Sequence, residues 1–228
     1  MESAKRALEF VFKISAEAIG QTNGRFELVS VRRFLDLKPR MIAKKRFLTG
    51  GTVIITTTRF GKVQIAQEDV INFPEGILGF NDLRRFVLLD DPNDEIFAWL
   101  QSCEVPDIAF PVLEPEIFAP EYKPMLTKTD NESLRLEGGQ RPRAFAIITI
   151  PEDPTLMTAN LKAPILVNVK LRLARQCVLQ DNQLQIREAI FAKLQQRVVQ
   201  NPSVSIKSQT NVSDLGVVVR PIGPEAAT

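Results

Sequence analysis

The chain has 228 residues, 44% of them hydrophobic and 25% charged, with a formal net charge of +2. That length suits one domain with appendages, and no apolar run reaches the roughly 18 residues needed to cross a bilayer, so a cytoplasmic protein with no membrane partner is expected. Histidine is absent, and Cys103 and Cys177 stand far apart outside any CxxC pair, which removes Ser-His-Asp and Cys-His nucleophiles, His-dependent metal sites, zinc clusters and a disulfide framework.

Residues 1–50 carry eleven Lys/Arg against five Asp/Glu, a balance of +6, whereas residues 51–200 carry sixteen against twenty, a balance of −4. In the first part Leu8, Val11, Phe12, Ala16 and Ile19 fit a helical stripe ending at Gly20, although LEFVFKI serves equally as a strand, and FELVSVRRFL alternates like one. A basic run follows, Lys38, Arg40, Lys44, Lys45 and Arg46, ending at Gly50-Gly51. Beside Phe34 and Phe47 it has the chemistry to hold RNA phosphates and stack bases; the general rule for charge runs favours a solvated tail or linker. Residues 1–50 are therefore read as a basic N-terminal extension.

From Thr52 the texture is all-β. TVIITTTRF and KVQIA are β-branched strands joined by a tight turn at Gly61, and VINF leads into FPEG. In that loop Pro74 fixes one dihedral, while Gly76 and Gly79 supply angles that other residues resist. RRFVLLD, IFAWLQS and IAFPVLE are three more strands, separated by DDPNDE and CEVPD. The DDPNDE acids lack the ligand spacing of a calcium loop and read as solvated turn carboxylates. KTDNESLRLEG predicts a short helix capped by Asp130 or Asn131 and closed at Gly138-Gly139. AFAIITI is a strand buried on both faces or in a closed barrel; PILVNVK and RQCVLQD complete the sheet. Apolar spacing at Leu184, Ala189, Ile190, Leu194 and Val198 predicts an amphipathic helix over residues 183–200, stopped by Asn201-Pro202. A last β-like run, LGVVVRPI, lies in a C-terminal extension, residues 201–228.

At least eight short strand candidates and no βαβ alternation give the fold class: all-β, mainly antiparallel, a small β-barrel or sandwich-like domain over residues 51–200 with a C-terminal amphipathic helix. There is no GxxxxGK, no GxGxxG between strand and helix, and no carboxylate pair in a glycosidase or protease context. A non-enzymatic protein with no cofactor and no metal is expected, one whose loops recognise another macromolecule.

Three blocks over residues 52–190, TRFGKVQIAQEDVINFPEGILGF, FAWLQSCEVPDIAFPVLEP and TANLKAPILVNVKLRLARQCVLQD, resemble the flagellar assembly factor FliW family in order and spacing. The resemblance implies a barrel-like fold and a role in flagellum biogenesis. Its members bind the translational regulator CsrA, an RNA-binding protein, and relieve its repression of flagellin synthesis; they also bind flagellin, like a chaperone, as the opposing partner. The family pattern is matched at Phe73, Pro74, Glu75, Gly76, Gly79 and Phe80, at Trp99 and Gln101, at Asp107 and Phe110, and at Asn160. The aromatics Phe73, Phe80, Trp99 and Phe110 read as core and the glycines as turn formers. Glu75, Gln101, Asp107 and Asn160 lie on or beside loops and are the expected partner contacts.

Proteins of that family ordinarily begin near the position of Thr52. Residues 1–50 are then either an extension with contacts of its own or, if translation starts at Met41, partly never made. Two rival readings follow from the residues: a nucleic-acid-binding module acting through the basic segment, although direct nucleic-acid binding is not expected of the barrel, and a small barrel holding a ligand in a deep apolar pocket.

Overall fold

The structure, a computed structural model, describes residues 51–91, 94, 96–200, 206 and 215–219. The basic extension, the Pro92, Asn93 and Glu95 part of the acidic turn, and most of the C-terminal extension lie outside the described residues. Strand β1 (Thr52–Thr57) and strand β2 (Gly61–Ala66) form the expected hairpin as a two-stranded sheet of their own. Gly61 takes φ +68°, the left-handed angle its turn requires.

The other strands are β3 (Ile71–Asn72), β4 (Arg85–Asp90), β5 (Ala98–Ser102), β6 (Ala109–Leu113), β7 (Arg143–Thr149), β8 (Thr158–Ala159), β9 (Ile165–Asn168), β10 (Leu173–Gln176), β11 (Glu188–Ala189) and β12 (Val217–Val218). Because β7 pairs with β6 on one side and with β9 on the other, seven strands close into a ring in the order β3-β4-β5-β6-β7-β9-β10. The ring is antiparallel except where β3 meets β10, and β12 adds a second parallel pairing against β4. A closed barrel with mainly antiparallel strands is the expected class, and closure removes the exposed edges an open sheet would leave.

The continuous apolar runs follow from period-2 geometry with both faces covered. One cluster receives a side chain from every strand of the ring, among them Ile71, Phe86, Leu100, Val112, Phe145, Val167 and Ala174, and this is the barrel interior. The alternate residues point outward. Val87, Leu89 and Trp99 pack under the β1–β2 hairpin against Ile55, Val63 and Ile65. Ala146, Ile148 and Leu166 pack under the loops and the C-terminal helix, against Tyr122, Leu179, Ile190 and Leu194. Each fully buried Leu, Ile or Phe contributes about 1.5 to 3 kcal/mol. Since the interior is filled by side chains, a ligand held inside the barrel is not what this architecture provides.

Three local expectations are corrected. The short helix Lys128–Ser133 is capped by Thr127, with Asp130 as the third-residue partner of a capping box, so the cap lies upstream of Asp130 and Asn131. The C-terminal helix is Phe191–Gln200 and does not begin at residue 183. Upstream, the Gln185 carbonyl accepts the N–H groups of Leu161 and Lys162, and Glu188 and Ala189 pair with β8; these tertiary bonds take the backbone a helix would have used. The strand read at RQCVLQD sits earlier, as β10, because its register against β9 begins at Leu173.

Candidate functional site

The FPEG loop leaves β3 with Phe73 buried, its N–H donating to the Arg84 carbonyl (2.8 Å) and its ring meeting Phe86 edge-on at 4.9 Å between centroids. Gly76 takes φ +71°, and a Cβ there would lie 2.6 Å from the Phe80 carbonyl oxygen, so both angle and space demand glycine. Gly79 takes φ +85° at the tip, and Phe80 anchors the far side by packing its ring on Phe110 at 5.4 Å. The loop thus places Leu78 outward, 56% exposed, while its N–H is held by Gln176 Oε1 (3.0 Å).

Glu75 stands beside that apolar tip and pairs with Arg175 at 3.2 Å. The same guanidinium donates to Ser133 Oγ (2.7 Å) and lies 3.7 Å from Asp130. Burial pushes the Asp130 carboxyl up, but hydrogen bonds from the Thr127 hydroxyl and N–H and from Cys177, with Arg175 nearby, outweigh it and hold the group below the ordinary aspartate range. Two shallow clefts of about 310 and 430 Å³ flank the pair, both lined by Pro74, Glu75 and Arg175.

The other half of the motif is built differently. Trp99 lies on the outer face of β5, its indole N–H donating to Asp94 (3.3 Å), with the Arg59 guanidinium 3.7 Å from a ring centroid. Gln101, two residues on and on the same face, is 0% exposed. Its Nε2 lies 3.0–3.4 Å from the carbonyls of Ser102, Val105, Pro106 and Ile108, so two amide hydrogens are shared among four acceptors of the loop that folds over it. The hairpin tip docks on the same loop: Thr58 donates its N–H to the Pro106 carbonyl (3.1 Å) and its hydroxyl to the Asp107 carboxylate. Glu104 accepts from the N–H of Arg84 and from Arg85 Nε (3.1 Å); these bonds outweigh its desolvation and keep its pKa lowered.

The four expected contacts therefore occupy three places. Glu75 and Asp107 are exposed on two separate loops. Asn160 is half-buried and shapes its own turn, its Oδ1 accepting from the Ala163 N–H (2.9 Å). Gln101, expected as a contact, is instead an interior organiser, because the loop over residues 102–108 covers the strand end from which it projects. Trp99 and Phe73 are buried as expected, whereas Phe110 is half-buried. Arg175, Arg59 and Leu78 were not singled out from the sequence; Gly76 and Gly79 on either side of Leu78 mark a turn there, but not which way its side chain faces. A further cleft of about 860 Å³ opens beside the C-terminal helix, floored by Tyr122, Leu126, Leu161, Leu179 and Leu184, with Met125 on its rim 80% exposed.

A small closed barrel with a packed interior, loops held by buried anchors and hydrogen bonds, and exposed apolar tips is the class of fold. Comparison with known proteins gives the family. The family model described as "FliW protein" matches residues 54–190. The flagellar assembly factor FliW of Bdellovibrio bacteriovorus is 69% identical over 163 residues, covering 72% of this chain and 93% of that protein. The flagellar assembly factor FliW of Ruminiclostridium cellulolyticum is 34% identical over 148 residues, covering 64% of this chain and 100% of that protein. A crystal structure of the flagellar assembly factor FliW superposes with a TM-score of 0.56 at 33% identity, covering 60% of this chain and 96% of that one. The chain belongs to the FliW family. That family is one of assembly factors and not a known enzyme family, and among the described residues no helix is long and apolar enough to cross a membrane.

Proposed function

We propose that this protein is a cytoplasmic flagellar assembly factor that works as a partner switch: it binds CsrA, relieving repression of flagellin synthesis, and binds flagellin as the opposing partner. The observation that carries this reading is the family match over residues 54–190, which contains every loop described above. The geometry supports it by presenting apolar side chains on a fixed frame. Leu78 projects from a loop pinned by Gly76, Phe80 and Gln176, with Glu75 and Arg175 beside it, so little ordering entropy is lost when a partner docks. Asp107 offers a second, acidic contact at the hairpin dock, and Asn160 a third from its turn. The −4 balance of residues 51–200 favours approach of a basic RNA-binding protein by steering more than by raw affinity.

A switch needs one partner to weaken the other, typically by about 1 to 3 kcal/mol, or roughly 5 to 150-fold in affinity. The apolar cleft floored by Tyr122, Leu126 and Leu161 suits a flagellin segment that is apolar on one face. The test is a pull-down from motile cells followed by binding with purified proteins. Recovery of CsrA and flagellin in separate complexes supports the switch; no complex with either at micromolar concentration overturns it.

A further inference from the structure

Among the described residues, the outer side of β1 is an unpaired strand edge, since β1 and β2 form a two-stranded sheet of their own. The Gly51 carbonyl accepts from the Gln67 N–H (2.9 Å), so along the ladder the backbone groups of Gly51, Val53, Ile55 and Thr57 face β2. Those of Thr52, Ile54 and Thr56 then point away. Thr58 continues that outward series, but its N–H already donates to the Pro106 carbonyl (3.1 Å). The open part of the edge therefore runs from Thr52 to Thr56 and stops where the loop over residues 102–108 docks.

From residue 52 to 58 the strand has no charge and no proline, and Ile54 is 61% and Val53 38% exposed. Natural edges usually carry a Lys, a Pro or a bulge against pairing, and this one carries none. A lone two-stranded hairpin is also a marginal sheet, which further strands reinforce. The order Thr52-Val53-Ile54-Ile55-Thr56 says which strand fits. Read outward from Ile54 in either direction, a β-branched aliphatic comes first and a threonine second. An edge with the same pattern in both directions is complementary to itself under a two-fold rotation.

We propose that two copies of this chain pair edge to edge along β1, antiparallel about a two-fold axis at Ile54. The two Ile54 residues then face each other, Thr52 of each copy faces Thr56 of the other, and each of these pairs exchanges both backbone hydrogen bonds. The Ile54 side chains cover one another where each stands exposed, and threonines opposite each other are a favourable cross-strand pair. Val53 of each copy meets Ile55 of the other on the face from which Ile55 packs on the barrel. The register is fixed by what lies at the two ends of the edge. A slide of the axis to Ile55 sets Thr52 opposite Thr58, whose N–H is taken by Pro106; a slide to Val53 carries Thr56 past the end of the other copy's strand. An edge this short buries less than the roughly 1,200 Å² of a stable interface, so the dimer is a weak and reversible one.

Sedimentation of the full chain tests this: monomer gives way to dimer between about 10 μM and 1 mM. Ile54→Lys, a change at an exposed position that sets two ammonium groups side by side, keeps the chain monomeric with its Tm unchanged. Cysteine substitution reads the register. Under mild oxidation Ile54→Cys cross-links to itself, whereas wild type, with Cys103 half-buried and Cys177 buried, does not. Thr52→Cys fails to cross-link to itself, because its two copies stand roughly 13 Å apart, but it cross-links when mixed with Thr56→Cys. A chain that stays monomeric to about 1 mM overturns the proposal. So does a dimer that Ile54→Lys leaves intact, or self-cross-linking of Thr52→Cys. Amide exchange at Thr52, Ile54 and Thr56 should slow as concentration rises; protection independent of concentration means that another part of the same chain covers the edge, and overturns it too.

Discussion

The loop behind Pro74 and the loop behind Ser102 are made from similar materials, a proline, a carboxylate and a neighbouring aromatic, yet they are held in opposite ways. The second is wired from within: Gln101 is sealed beneath it and binds its carbonyls, and the hairpin tip clamps it from above through Thr58. The first is pinned at its ends, by Phe73 in the core and by half-buried Phe80 packed against it, and leaves Glu75 and Leu78 standing outward. A buried polar residue is committed to its own loop; an exposed leucine on a pinned frame is available to a partner.

Gln101→Ala should have the largest effect. It strips the hydrogen-bond donors from several carbonyls under the loop and leaves a space, costing about 2 to 3 kcal/mol. For a chain of this size that is a fall of roughly 5 to 10 °C in Tm by thermal unfolding. An unchanged Tm combined with lost partner binding would reverse the assignment and return Gln101 to the contact set. Gly76→Ala comes next, at about 2 kcal/mol, since the added methyl meets the Phe80 carbonyl in a backbone conformation that alanine resists. Because that strain sits under Leu78, the variant should also loosen partner binding.

Leu78→Asp should move stability least among the substitutions, within about 0.5 kcal/mol, since the side chain is mostly in water. It should nonetheless weaken binding of CsrA or flagellin at least about tenfold, the cost of putting a charge where an apolar contact belongs. Titration of each purified partner against wild type and variant separates the two quantities. Equal affinity for both partners would remove the FPEG tip from the proposed interface.

The difference between the loops explains how far the sequence could be read. Pro74, Gly76 and Gly79 announce their turn because the dihedral demand is local, and AFAIITI announces burial on both faces because the run is continuous. The fate of Gln101 is decided by residues 102–108 folding back over it, and polarity alone suggested an exposed role. Leu78 has the converse problem, since an apolar residue beside strands reads as core until the loop is seen to turn it outward. The start of the C-terminal helix was hidden for the same reason as Gln101: Glu188 and Ala189 are claimed by β8, some 30 residues away in the chain.

The smallest effect is also the one that reads both loops at once, because Cys103 lies in one and Cys177 lies near Glu75 and Arg175 beside the other. Burial pushes the Cys103 thiol up to about 11, with Arg85 opposing and Glu104 adding; burial pushes Cys177, beneath the Arg175 cluster, up to about 12, with Asp130 adding. Both are raised above a free thiol, so the fold favours the protonated form. Their contribution is fully present below the free-thiol pKa and is lost as pH rises through the folded values, above about pH 9. Asp130 and Glu104 have lowered values, so their contribution is present above the ordinary carboxylate range and is lost as pH falls through the folded values, below about pH 4. At pH 8 alkylation of the native protein should accordingly be slow at both thiols and become fast in denaturant. Gln101→Ala should speed Cys103 alone, through opening of the loop it organises, and Gly76→Ala should leave Cys103 unchanged. If either variant speeds both thiols equally, the two loops unfold as one unit and the contrast between them fails.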